Sequence, residues 1–259
     1  MTINPLYSVA GVLVGLVVGL TGVGGGSLMT PLLVLVFGFH PATAVGTDLL
    51  YASATKSVGT VVHGWRGTVE WRVVRRLALG SIPAAVLTLL MLGRAGERSA
   101  STGHAISVVL GVTLILSAIG TIFRARIIAW LSSRIGTAAG PRPAIYTVIL
   151  GAILGVLVSL TSVGAGALGM TALLILYPSL PIKRLVGSDI AHAVPLTLLA
   201  GIGHWMLGSV DIALLCSLLV GSIPGIIVGS LIASRVSDRV LSPILAIVLI
   251  LVGVKLVLS

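Results

Sequence analysis

One lysine and a handful of small polar residues hold most of the chemistry available to this chain. Lys56 lies about 13 residues into an otherwise apolar segment, roughly 20 Å from its start if helical. A cation at that depth faces a partner or a wet cavity and is suited to attracting an anion. The stretch Thr21-Gly-Val-Gly-Gly-Gly-Ser27 precedes a short apolar run. Its glycines let the backbone turn sharply and expose N–H groups, and a helix start adds partial positive charge. Together with the Thr21 and Ser27 hydroxyls, and the backbone of Gly22, Gly24, Gly25 and Gly26, this is a candidate oxyanion cradle. The competing reading is close helix packing around a turn, with no ligand. A second break, Thr161-Ser-Val-Gly-Ala-Gly-Ala167, offers Thr161, Ser162, Gly164 and Gly166 in the same manner.

Titratable groups are few. Asp48 and Asp189 each sit just inside an expected helix start, where a carboxylate acts as a cap; a proton- or cation-coupling role is the alternative. Lys56 is eight positions after Asp48, about 12 Å along and some 80° around, so the two cannot pair within one helix; snorkelling to the cytoplasmic end and an ion pair with Asp189 are the other readings for the lysine. His192, a turn after Asp189, could couple proton movement or hydrogen-bond a neighbouring helix. Glu70 and Asp211 read as helix caps, and His63 and His204 as structural residues near helix ends. Pro83, Pro195 and Pro224 read as kinks within helices. Trp65, Trp71 and Trp205 read as interfacial anchors.

These residues are arranged in two copies. Gly15–Pro31 matches Gly155–Thr171 at a shift of 140 residues, which becomes 141 after one insertion. Asp48 then falls on Asp189, Tyr51 on His192, His63 on His204, and Glu70 on Asp211, while GSIP (Gly80–Pro83) recurs unchanged as Gly221–Pro224. Polar residues recur with apolar ones, which composition alone would not produce. Duplicated halves with Gly-broken short segments in matching places suggest a transporter with its site between the repeats.

The chain of 259 residues is 57% hydrophobic and 8% charged, with a mean hydropathy of +1.20. Soluble domains carry about a quarter charged residues. The expected fold is therefore an all-α polytopic membrane protein, and continuous apolar runs exclude a β-barrel. The 33 glycines suit close helix packing in lipid. The net charge of +10 lies mostly in short loops and does not indicate nucleic acid. A single cysteine, Cys216, allows neither an internal disulfide nor a multi-cysteine sulfur relay. No metal or other cofactor is expected. The uncharged N-terminus reads as a retained helix.

Spanning segments are expected at Ala42–His63, Trp71–Leu92, His104–Arg124, Arg184–Leu207, Asp211–Ala233 and Leu241–Leu258. Two shorter pairs, Leu6–Leu20 with Ser27–Phe37 and Ala144–Leu160 with Ala167–Tyr177, are each divided by a Gly/Ser/Thr break. Residues 1–124 form the first repeat, 125–143 a cytoplasmic linker and 144–259 the second repeat. If each short pair turns back to its starting side, twelve Lys/Arg share one side and three the other. A single crossing per pair gives nine against six. The positive-inside rule favours the first arrangement, with inverted repeats and both termini outside.

The segments TGVGGGSLMTPLL and HPATAVGTDLLYASATKSVGTVVHGWRGTVEWR, with VGSDIAHAVPLTLLAGIGHWMLGSVD and GSIPGIIVGSLIASRV in the second half, resemble the sulfite exporter TauE/SafE family, from Tyr7 to about Leu256. The resemblance implies a multi-pass protein of the bacterial inner membrane that moves small sulfur-containing anions such as sulfite, sulfonates like sulfoacetate, or thiosulfate. It also implies that the Gly-rich segments Thr21–Ser27 and Thr161–Ala167 matter for function. The second copy departs from the first: Gly22 becomes Ser162, Gly25 becomes Ala165 and Ser27 becomes Ala167. Export of the anion, driven by an interior-negative potential, is the leading reading, with partners limited to the anion, the lipid bilayer and a homo-oligomer if one forms. The alternatives are proton- or cation-coupled transport of another small organic anion, and a non-transporting membrane assembly protein. An enzyme is disfavoured because no metal cluster, Gly-x-Ser-x-Gly elbow, Cys-His pair or Walker A motif is present.

Overall fold

The computed structural model describes residues 4–21, 26–65, 69–96, 100–134, 142–164, 166–232 and 238–258. The described residues form ten α-helices and no strand. In chain order they are α1 (Pro5–Thr21), α2 (Gly26–Leu35), α3 (Pro41–Trp65), α4 (Trp71–Ala95), α5 (Ala100–Arg134), α6 (Arg142–Thr161), α7 (Ala167–Leu176), α8 (Ile182–Met206), α9 (Ile212–Ile232) and α10 (Asp238–Leu258). Five of them are long and apolar enough to cross a membrane, over Trp71–Ala95, Ser101–Phe123, Ala144–Thr161, Ile182–Met206 and Ile212–Gly229.

The run expected at Ala42–His63 forms the 25-residue helix α3, in which Thr47, Asp48 and Ser53 are covered by protein. The first member Ala144–Leu160 is long enough to cross. One expectation changes: α5 continues through Arg134, well into the segment read as a linker. The two short helices α2 and α7 have 10 residues each. At about 1.5 Å per residue neither can cross a bilayer of ordinary thickness.

The matched helices pack reciprocally. Helix α1 lies against α9 and α6 against α4. A Cβ at Gly15 would meet the Ser222 carbonyl, and one at Gly155 the Ser81 carbonyl. These are the same contact in two copies, since Gly15 matches Gly155 and Ser81 matches Ser222. Small residues let the backbones of such pairs approach closely without lipid between them. Two side chains tie the halves the same way: Thr47 Oγ1 accepts the Asp211 N–H at 3.1 Å, and Ser188 Oγ accepts the Glu70 N–H at 2.8 Å.

Neighbouring residues give the helix directions. Gly221 meets Ser8, Gly225 meets Val12 and Gly229 meets Leu16, so α1 and α9 run the same way. Gly111 meets Val257 and Gly253 meets Ile115, so the matched helices α5 and α10 are antiparallel. Gly46 meets His204 and Gly201 meets Leu50, so α3 and α8 are antiparallel too. Helix α9 begins beside Thr47 of α3 and reaches Tyr51 at Ser222, which sets α9, and hence α1, parallel to α3.

The pair α3 and α8 forms the centre. On α8, Asp189, His192, Thr197 and His204 are buried together with Leu185, Leu196 and Ala200. The outer helices turn Leu13, Leu87, Ile145, Ile223 and Leu251 outward, as lipid contact requires.

Candidate functional site

The second break is the described half of the sequence-predicted cradle. Helix α6 ends at Thr161, whose hydroxyl donates to the Leu157 carbonyl at 2.6 Å and accepts the Val163 N–H at 3.1 Å. That hydroxyl builds the turn, so its proton is committed before any anion arrives. Ser162 then adopts φ 59° and Gly164 φ 119°. The left-handed region costs a residue with a Cβ about 1–2 kcal/mol. The first copy carries glycine, Gly22, at the position of Ser162. The Gly169 N–H bonds the Gly164 carbonyl at 2.9 Å and the Met170 N–H the Gly166 carbonyl at 3.1 Å, so the break winds directly into α7. In the first copy, Gly22, Gly24 and Gly25 lie outside the described residues, as do the side chains of Thr21 and Ser27 and the Cα surroundings of Gly26.

The carboxylates are not helix caps. Asp48 is the eighth residue of α3 and Asp189 the eighth of α8, beyond the first turn whose N–H groups a cap would serve. Both are buried, at 0% and 5% exposure. Thr30 of α2 donates to Asp48 Oδ2 at 2.5 Å. Asp48 Oδ1 has no hydrogen-bond partner among the described residues, although the Ser162 hydroxyl lies near the carboxylate. Asp189 Oδ1 is likewise unpartnered and presses on α7, where a Cβ added to Gly169 would stand 2.8 Å from it. The two carboxylates therefore bracket the second break, Asp48 at Ser162 and Asp189 at Gly169.

Lys56 joins this group. Asp189, Asp48 and His192 lie within electrostatic reach of its ammonium. The structure thus brings Lys56, Asp48, Asp189, His192 and Ser162 into one neighbourhood around the α6–α7 break.

His192 Nε2 shares a 2.8 Å hydrogen bond with Ser81 of α4, and its Nδ1 has no partner among the described residues. In the other copy the same places are held by Tyr51 and Ser222. Their hydroxyls face each other without hydrogen-bond geometry. The matched position to Lys56 is Thr197, whose hydroxyl returns to the Ala193 carbonyl at 2.9 Å. The scaffold and its two aspartates are two-fold in pattern, while the lysine and the histidine are each present in one copy alone.

Other readings separate. Asp211 caps α9 as expected, Oδ1 accepting the Leu214 N–H at 2.9 Å. Glu70 does not cap α4 with its side chain; it pairs with Arg184 at 3.5 Å. His204 is fully buried and donates from Nε2 to the Ser159 carbonyl at 2.9 Å, tying α8 to the end of α6. The side chain of His63 lies outside the described residues. Pro83, Pro195 and Pro224 lie inside helices as expected. Trp71 and Trp205 are more than half exposed, as interfacial anchors are. Thr30, Ser81 and Gly169 were missed from the sequence. Ser81 had a signal, since its GSIP motif recurs unchanged.

A family model described as "Sulfite exporter TauE/SafE" matches residues 7–256. The chain is similar to the "Probable membrane transporter protein YjnA" of Bacillus subtilis (strain 168), 40% identical over 214 residues that cover 82% of this chain and 84% of the relative. It is also similar to the "Probable membrane transporter protein YdhB" of the same organism, 29% identical over 221 residues covering 82% of each. A "Probable membrane transporter protein" of Xylella fastidiosa (strain 9a5c) is 43% identical over 75 residues, 28% of this chain and 29% of the relative. No solved structure matches the chain.

Proposed function

The chain belongs to the sulfite exporter TauE/SafE family of multi-pass membrane transporters, and from that premise we propose that it moves small sulfur-containing anions out of the cell across the bacterial inner membrane. Sulfite, sulfonates such as sulfoacetate, and thiosulfate are the substrate class. The anion binds at the repeat interface, between Lys56 and the Gly-rich breaks. The carrying observation is Lys56 itself, an ammonium on α3 within electrostatic reach of Asp48 and Asp189, the carboxylates on either side of the α6–α7 break. The ammonium supplies charge, the Ser162 hydroxyl a donor, and the helix start partial positive charge.

The proposed orientation sets the halves inverted in the bilayer, with both termini outside. The antiparallel packing of α3 on α8 and of α5 on α10 supports it. An interior-negative potential favours export of an anion by about 2.3 kcal/mol per charge per 100 mV.

Purified protein in proteoliposomes, given labelled sulfite, sulfoacetate, isethionate, thiosulfate and chloride in turn, tests the reading. Uptake or counterflow of at least one sulfur anion, well above chloride and above empty vesicles, is expected. Movement of none of the sulfur anions would overturn it.

A further inference from the structure

We infer that the transported anion moves together with a proton carried by Asp189. This rests on the anion-transport reading above and specifies how that site balances charge. Among the described residues, the site holds two buried carboxylates and one ammonium. With all three ionised it is already net negative, so an incoming anion adds a second uncompensated negative charge away from water. One proton on a carboxylate removes that excess before the anion binds.

The hydrogen bonding assigns the proton to Asp189. Asp48 accepts the Thr30 hydroxyl at 2.5 Å, so a donor from α2 already faces its carboxylate. Asp189 has Lys56 as its charged neighbour, and its Oδ1 is unpartnered and buried against Gly169. Once the ammonium turns to an anion, Asp189 loses that compensation. The groups facing it from the packed elements are Lys56 of α3, with Asp48 beyond it, and His192 on its own helix; α4 contributes Ser81 through His192, and α7 and α6 contribute Gly169 and Leu154. None of these is a second cation.

The step is a simple proton transfer. Water on the loading side gives up a proton, an O–H bond forms at the Asp189 carboxylate, and the same bond breaks to water on the release side. A dianion then crosses with net charge −1, which the interior-negative potential still drives outward, while a monoanion crosses with no net charge and follows its own gradient and that of the proton.

Thiosulfate and isethionate have no group titrating near neutral pH, so any proton they move is the protein's. Wild-type protein is reconstituted with pyranine inside, potassium and valinomycin clamping the potential, and no initial pH gradient. Adding whichever of the two gives labelled uptake should acidify the lumen at about one proton per anion. Asp189→Asn should abolish the acidification and make remaining uptake independent of an imposed pH gradient. Asp48→Asn should slow uptake while acidification per anion persists. Wild-type uptake with an unchanged lumen overturns the inference and leaves anion transport standing. Full proton coupling in a folded Asp189→Asn protein overturns the assignment to Asp189. If neither anion moves in wild type, the same assay is run with sulfoacetate; movement of no sulfur anion overturns both readings together. Should Asp189→Asn fail to fold, Asp189→Glu is used instead: a shifted pH dependence of the acidification per anion is expected, and an unchanged one overturns the assignment to Asp189.

Discussion

Lys56 carries a prediction that separates binding from folding. A unit charge about 6 Å from a bound anion contributes roughly 3 kcal/mol at an effective dielectric near 20. Removing it should weaken affinity on the order of a hundredfold. Lys56→Met is therefore expected to raise the half-saturating anion concentration steeply while the protein inserts and elutes as a single species. Lys56→Arg keeps the charge but trades a compact ammonium for a planar fork, so it should retain part of the activity. Wild-type affinity in Lys56→Met would take the lysine out of the site. Collapse of the fold in Met but not Arg would mark it as a counter-ion for Asp189 and Asp48 instead. The one-sidedness sharpens the case: Thr197 in the matched position bonds its own helix, so this charge has no twin.

At the scale of elements, the site depends on how closely α6 meets α4. Ser81 holds His192 from α4, and the Ser81 carbonyl lies where a Cβ on Gly155 would go. Gly155→Val should force the helices apart, at a cost of about 1–3 kcal/mol typical of overpacking. A lower unfolding temperature in detergent, measured by tryptophan fluorescence, is the expected result, with Gly15→Val behaving alike because it meets Ser222 in the matched place. Ile153→Ala, on the same helix but facing lipid, should stay near wild type. The helices themselves were legible in the sequence, because apolar run length and Gly breaks fix them locally. The boundaries at Trp71, Ala167 and Leu258 coincide with the observed ones. What the sequence hid was cross-chain contact. Asp48 and Asp189 look like caps because each follows Gly-Thr or Gly-Ser, yet Pro41 and Ile182 start their helices earlier and leave the carboxylates inside. Thr30 and Gly169 are ordinary residues in sequence and acquire a role only because α2 and α7 fold back on α3 and α8. The mirrored Ser81 and Ser222 were visible as a repeated motif, but nothing local said that His192 and Tyr51 would face them.

For the whole molecule, the open choice is how the halves sit in the bilayer. Because α1 runs parallel to α3, the short helix α2 returns toward the side from which α1 started. The same sense in the second half follows from α6 running parallel to α4, since Gly151 meets Leu77 and Gly155 meets Ser81. Charge points the same way: with out-and-back pairs, twelve Lys/Arg gather on one side and three on the other. Three single cysteines in a Cys216→Ala background discriminate the arrangements. Val69 lies between α3 and α4, Ala95 at the end of α4, and Ser179 between α7 and α8. Val69→Cys and Ala95→Cys must label from opposite faces in either arrangement, which controls the assay. In the inverted arrangement Ser179→Cys reacts with an impermeant maleimide from the same face as Val69→Cys, the cytoplasmic one. With a single crossing per short pair, it reacts from the Ala95→Cys face. We expect Ser179 to group with Val69, because the helix directions around α3 and α8 leave α7 no route across. Grouping with Ala95 would remove the inverted repeat, and with it the placing of Lys56 and both carboxylates on a common axis between the halves.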